Sequence, residues 1–186
     1  MTQNMKTILS SPIKHMLLGL AHWMAYRNEL SNIQLIEADA IFVAADMLRA
    51  LLPGYIVERE ITKTSLPIVN VQRIDLGIRS RTNNSYECLI EFKLADATNA
   101  GYVGDVEKLS RIKQQNPSID CLVVILYRKS CAYNTPSNLV DVNGFAIRRI
   151  IEIGSNKIPV KVRRVCNSFA SNKPPKSQKT ICLEVI

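Results

Sequence analysis

The chain has 186 residues, 47% of them hydrophobic and 22% charged, a composition that suits one globular domain with a core of its own. No apolar run approaches the roughly 20 residues needed to span a bilayer, and the opening Met-Thr-Gln-Asn-Met-Lys lacks a secretory pattern, so no membrane association and a cytoplasmic location are expected. The net charge of +8 is uneven, because residues 1–144 carry 15 basic and 14 acidic side chains whereas residues 145–186 carry 9 and 2.

The first predicted element is an amphipathic helix from about Ser11 to Leu30, in which Met16, Leu17, Leu20, Trp23 and Met24 recur at helical spacing. His15 and His22 lie within it without a recognisable catalytic partner. Ser31 and Gln34 then match a capping box, and a second helix runs until Pro53-Gly54 stops it. Glu37 falls on the same face as Ile41, Ala44 and Leu48, the face that should be buried, where a lone charge is costly. Its position in the first turns offers one compensation, the positive end of the helix dipole.

Tyr55 to Ile61 alternates as a strand, with Glu58 and Glu60 sharing a face that is commonly solvated. Lys63 to Asn70, holding Pro67, reads as a loop. From Val71 to Ala95 two alternating segments flank Arg-Thr-Asn-Asn-Ser, which is turn chemistry, so a β-hairpin is predicted. In its second strand Glu91 and Lys93 share a face, with Ile90 and Phe92 on the other; pairing across the turn brings Asp75 towards both, a place for a divalent cation. A cross-strand acid with a neighbouring lysine is also common on a solvated sheet surface.

A helix opens at Gly104-Asp105 and ends at Asn116-Pro117, with Val106, Leu109 and Ile112 inward; Lys108, Arg111 and Lys113 occupy the other positions and are candidate phosphate contacts. Cys121 to Tyr127 is continuously apolar, as in a central strand buried on both faces. Phe145 to Ile153 fits a strand or a short helix. Lys157 to Val165 alternates as a strand whose Pro159 argues for a sheet edge, and Thr180 to Ile186 is a last strand. Lys161, Arg163 and Arg164 are candidate nucleic-acid contacts within the basic C-terminal quarter. The five cysteines form no Cys-x-x-Cys pair, so neither a disulfide framework nor a zinc site is indicated; Cys88, Cys121 and Cys182 are expected as buried thiols.

Asp75 followed by Glu91-Phe92-Lys93, set in the order helix, three strands, helix, strand from Gln34 to Arg128, resembles the PD-(D/E)XK nuclease superfamily. Ile74 stands where the family's name has a proline, a position that varies among members. The resemblance implies an α/β protein with a restriction-endonuclease-like core, a central mixed β-sheet flanked by helices in αβββαβ order. It implies one nuclease-like domain, 1–186, with residues 1–30 as a helical extension and 145–186 as a basic β-rich extension. Asp75, Glu91 and the Phe92 carbonyl would hold Mg²⁺, with Mn²⁺ able to substitute, and Lys93 would serve catalysis; Glu37 is implied as a further acid from the preceding helix, and Glu58 or Glu60 can join. The implied activity is hydrolysis of DNA by a homodimer or a subunit of a larger nuclease complex, in restriction, defence or repair. A non-catalytic DNA-binding or assembly subunit and a protein-binding inhibitor are the alternatives.

Overall fold

A computed structural model describes residues 9–30, 36–62, 73–95, 101–128, 139, 150–168 and 178–186. The helices are α1 (Ser10–Leu30), α2 (Glu37–Leu51) and α3 (Gly101–Gln115); the strands are β1 (Tyr55–Thr62), β2 (Arg73–Ser80), β3 (Tyr86–Ala95), β4 (Asp120–Arg128), β5 (Ile150–Ile153), β6 (Ile158–Ser168) and β7 (Gln178–Val185). The strands form one mixed sheet in the order β1-β2-β3-β4-β7-β6-β5, in which β3 and β4 run parallel and the other neighbours antiparallel. A parallel pair needs a crossover, and α3 supplies it. The molecule is therefore a mixed α/β fold, with helices on both sides of the sheet.

Each sheet face has its own core. On one, α1 and α2 set Met16, Leu20, Met24, Ala44 and Leu48 against Leu76, Ile90, Phe92, Val124 and Cys182. On the other, Val106, Leu109 and Ile112 of α3 meet Leu89, Val123, Ile125 and Leu183. Burying a side chain of this size stabilises the fold by about 1.5–3 kcal/mol. Cys121 to Tyr127 is buried throughout, because β4 has a strand on either side and a helical layer on either face. α1 packs on α2 and across β6 and β7, where Thr180 Oγ1 donates to the Leu17 carbonyl at 2.9 Å.

The hairpin forms as predicted, with Leu76 opposite Ile90 and Ile78 opposite Cys88. Its turn closes through Ser80 N–H to the Ser85 carbonyl, and Asn84 adopts the left-handed φ of 57° that asparagine tolerates. The predicted second helix is also present, ending at Leu51 before Pro53-Gly54. Its N-cap is Ile36, without a side-chain cap; the Ser31–Gln34 capping box and the Lys63–Asn70 loop lie outside the described residues. Of Phe145 to Ile153, the described part is the strand β5.

Pro159 does not mark an edge. β6 lies between β7 and β5, and the Pro159 carbonyl accepts from Ile186 N–H just past the end of β7. The N–H and C=O of one residue leave an extended strand on the same side, so the missing donor falls where the ladder has already ended. Among the described residues no helix is long and apolar enough to cross a membrane.

Candidate functional site

The site begins where β2 leaves β3. Pairing between them shifts register once, between Ile78 and Arg79 near the turn, continues to Leu76 and Ile90 and ends there. The β1–β2 ladder skips one position at the same level, between Arg59–Leu76 and Ile61–Ile74, where Glu60 has a left-handed φ of 54°. Val57, Leu76 and Ile78 belong to the helix α1–α2 core, whereas Ile61 and Ile74 belong to the α3 core. Both strands thus turn over at Glu60 and Asp75. A non-glycine residue in this region of backbone space costs on the order of 1–3 kcal/mol.

The turnover aims Asp75 along the plane of the sheet. Its Oδ2 accepts from Phe92 N–H at 2.8 Å, so a carboxylate replaces the backbone carbonyl that a continuing ladder would have supplied. One step further, Glu37 Oε2 accepts from Leu94 N–H at 2.9 Å. The free edge of β3 is therefore satisfied by two acidic side chains, one from β2 and one from the first turn of α2. The Phe92 carbonyl leaves β3 on the same side as its N–H, towards Asp75. Glu37, whose role in the sequence stands between a site acid and a dipole-stabilised helix residue, lies in the first turn of α2 with its carboxylate turned towards β3.

Glu91 projects from the α3 face and is only 2% exposed. Lys108 Nζ approaches its Oε1 at 2.6 Å and also lies 3.5 Å from Asp105 Oδ1. Burial raises the Glu91 carboxyl most, repulsion by Asp75 adds to it, and Lys108 opposes both; the result is a carboxyl pushed up to about 8. Asp105 is likewise raised by burial, with Lys108 and Lys93 opposing and Asp75 assisting. Lys93 Nζ stands 3.7 Å from Glu37 Oε2, and its stem passes over Gly101, where an added Cβ would lie 3.1 Å from Lys93 Cε. Asp75, Glu91, Lys93 and Glu37 thus gather at one strand end, joined by Asp105 and Lys108.

Of those six, the sequence does not single out Asp105 as a site residue. Lys108 reads in sequence as a phosphate contact, but it is engaged by Glu91 and Asp105 and also donates to the Arg73 carbonyl at 3.1 Å. The Asp105–Lys108 spacing of three was the available signal. Glu58 turns away to Arg79 and the Tyr86 hydroxyl, and Glu60 to Arg73, so neither joins the cluster. Arg111 is exposed on α3, and Lys113 caps the Ile119 carbonyl at 2.8 Å.

The basic C-terminal candidates are elsewhere. β6 is separated from β3 by β4 and β7, a span of about 14 Å at the usual strand spacing. Arg163 Nη1 lies 3.9 Å from Oδ2 of the buried Asp120, which opens β4 opposite Cys88, three positions before the Val123 that pairs with Glu91; Lys161 is exposed and Arg164 half-buried. The structure does not bring these three residues to the site.

The cysteines among the described residues are not exposed nucleophiles. Cys88, Cys121, Cys166 and Cys182 are buried, and burial pushes the Cys121 and Cys182 thiols up to about 12. His22 Nδ1 lies 2.8 Å from Ser168 Oγ, remote from the acids.

Among the described residues no three His, Cys, Asp or Glu side chains stand in a metal-ligating arrangement. Asp75 and Glu91 nevertheless fit Mg²⁺ by chemistry. They are hard oxygen donors whose mutual repulsion a dication would relieve, and Mg²⁺ is held by one or two carboxylates with water completing its shell. The chain matches no family model, no curated protein and no solved structure.

Proposed function

We propose that this chain is a Mg²⁺-dependent DNA endonuclease with a restriction-endonuclease-like core. The single observation that carries the reading is the convergence of Asp75, Glu91 and Lys93 at the end where β2 departs from β3, with Glu37 contributed by the preceding helix. The order α2-β1-β2-β3-α3-β4, with β3 and β4 parallel, supports it as well. It agrees with the PD-(D/E)XK resemblance of the sequence.

Phosphodiester hydrolysis requires an activated water, stabilisation of a negatively charged transition state and a proton for the leaving oxygen. Asp75 and Glu91 would hold the ion, with the Phe92 carbonyl on the same strand edge. When bound, Mg²⁺ supplies Lewis-acid stabilisation of charge on phosphate oxygens. Lys93, placed between Glu37 and Asp105, orients the attacking water and offsets charge that develops during attack. Lys108 fixes the Glu91 carboxyl by its contact at 2.6 Å. Because one such site cuts one strand, the working unit for duplex cleavage is a homodimer or a larger nuclease assembly.

The test is incubation of supercoiled plasmid with Mg²⁺, or Mn²⁺ in its place, and the wild type, Asp75→Ala or Lys93→Ala protein. Nicking by the wild type that disappears in both variants is the expected result. DNA binding that weakens with salt but brings no nicking would instead indicate a binding or assembly subunit with the same fold. Neither binding nor nicking would leave a protein-binding role.

A further inference from the structure

Beside the acid cluster a cleft of about 670 Å³ opens between α2 and the edge strand β1, and Asp75 and Glu37 are among its walls. Small-ligand sites run from roughly 300 to 1,000 Å³. Its other walls include two residues with no structural duty evident elsewhere. Phe42 is 53% exposed, and the Arg59 guanidinium lies over its ring at 3.5 Å from the centroid.

The remaining charges of the cleft are already matched. Arg49 holds Asp46 and the Val57 carbonyl, Arg73 meets Glu60, Glu58 meets Arg79 and the Tyr86 hydroxyl, and Glu37 is shared by Leu94 N–H and Lys93. Among the described residues Arg59 has no carboxylate within ion-pairing distance; its neighbour is the Phe42 ring. The cleft therefore presents one uncompensated cation on an exposed aromatic plane, in the same cleft as Asp75, one of the two acids that would hold a metal.

That combination selects its ligand. A guanidinium plane backed by an aromatic ring offers a stacking surface to a base and a charge to the adjoining phosphate. A duplex keeps its bases stacked on one another and would show this platform only sugars and phosphates. We infer that the cleft receives an unpaired DNA strand, with a base against the Arg59–Phe42 pair and the adjoining backbone leading towards Asp75, the acid of the site that lines the cleft. The proposal rests on the nuclease reading and narrows its substrate class to single-stranded ends, flaps or gaps. It also moves the nucleic-acid contact from the basic β6 residues to β1 and α2.

The test is fluorescence anisotropy of the full chain in EDTA, so that no strand is cut, with a short labelled oligothymidine and a blunt hairpin duplex as the two probes. Wild type is expected to bind oligothymidine more tightly than the duplex. Phe42→Ala and Arg59→Ala should each weaken oligothymidine binding by about fivefold or more, the lower bound set by loss of one stacked base. Phe42→Trp should retain binding, and Arg164→Ala should leave it unchanged. Both key side chains are partly or largely exposed, so thermal melts of the variants are expected to match wild type and show that they fold. Equal affinity of wild type and the two alanine variants, or equal losses for duplex and single strand, overturns the proposal. Because binding is read without metal, plasmid nicking that depends on Asp75 stands or falls separately: cleavage with indifferent Phe42 and Arg59 variants removes this cleft and keeps the hydrolase.

Discussion

Lys108 on α3 and Glu91 on β3 form a contact of 2.6 Å across the interface between helix and sheet. The pair sets the charge state of the site. Glu91 is pushed up to about 8 by burial and by Asp75, and Lys108 is the opposing influence. Without the ammonium, the carboxyl would hold its proton to still higher pH.

This makes Lys108 a positioning residue with a distinctive signature. Lys108→Met is expected to shift the acidic limb of the Mg²⁺-dependent nicking profile upward by about one pH unit, whereas Lys108→Arg restores most of the wild-type profile. A merely structural role would lower the rate at every pH and leave the limb in place. The measurement is the initial nicking rate from pH 6 to 10.

Stability should carry the same imprint. The folded chain keeps the Glu91 proton up to about 8, whereas the unfolded chain releases it near the ordinary 4.5. Between those limits the native state binds more protons than the unfolded state, so this group lowers stability as pH rises, by at most about 1.4 kcal/mol per pH unit. Below about 4.5 both states are protonated and the effect is absent. Glu91→Gln keeps the shape and cannot ionise, so in metal-free buffer its unfolding free energy should exceed that of wild type at pH 8 and converge with it near pH 4.5. Urea melts across that range measure the difference, and parallel curves for the two proteins would contradict it.

Arg163 answers a different question. Its guanidinium lies 3.9 Å from Asp120 Oδ2, and Asp120 is buried with no hydrogen bond to its other carboxylate oxygen. Removing the cation leaves a buried acid without compensation, which is destabilising by up to about 3–5 kcal/mol where a pair is fully buried. The partial exposure of Arg163 and the length of this contact put the expected loss for Arg163→Ala nearer 1–2 kcal/mol. Asp120→Asn in the same chain should recover much of it, while oligothymidine affinity stays at the wild-type value. Denaturant melts of the single and double variants decide; loss of DNA affinity with unchanged stability would return Arg163 to the nucleic-acid surface.

How much of this was legible in the sequence follows from the range of each interaction. The hairpin from Arg73 to Ala95 and the buried run Cys121–Tyr127 are written in periodicity, which acts within a single element, and both appear as expected. Glu37 could be placed on the inward face of α2 from its offsets to Ala44 and Leu48 alone. Asp75 could be assigned to a strand, but its in-plane aim depends on the turnover opposite Glu60, a feature with no periodic trace. Lys108 and Arg163 were read as surface cations because their partners, Glu91 and Asp120, lie 17 and 43 positions away, and only tertiary packing joins them. In β6 the register shift between Val162 and Arg164 accompanies that pairing, and strand alternation does not forecast it.

Metal binding itself should displace a proton. At pH 7 the Glu91 carboxyl, pushed up to about 8, is mostly protonated, while a metal ligand must present a bare carboxylate. Mg²⁺ uptake is therefore expected to release close to one proton, and its affinity to rise nearly tenfold per pH unit below about 8 and to level off above. Isothermal titration calorimetry in two buffers of different ionisation enthalpy reads the released proton directly, with no need for turnover or for DNA. Glu91→Gln should bind Mg²⁺ more weakly and release none. If the wild type takes up Mg²⁺ with the same enthalpy in both buffers, Glu91 does not join Asp75 in holding the ion. The chemistry would then have to be rebuilt around Asp75 and Glu37, the two acids that already satisfy the open edge of β3.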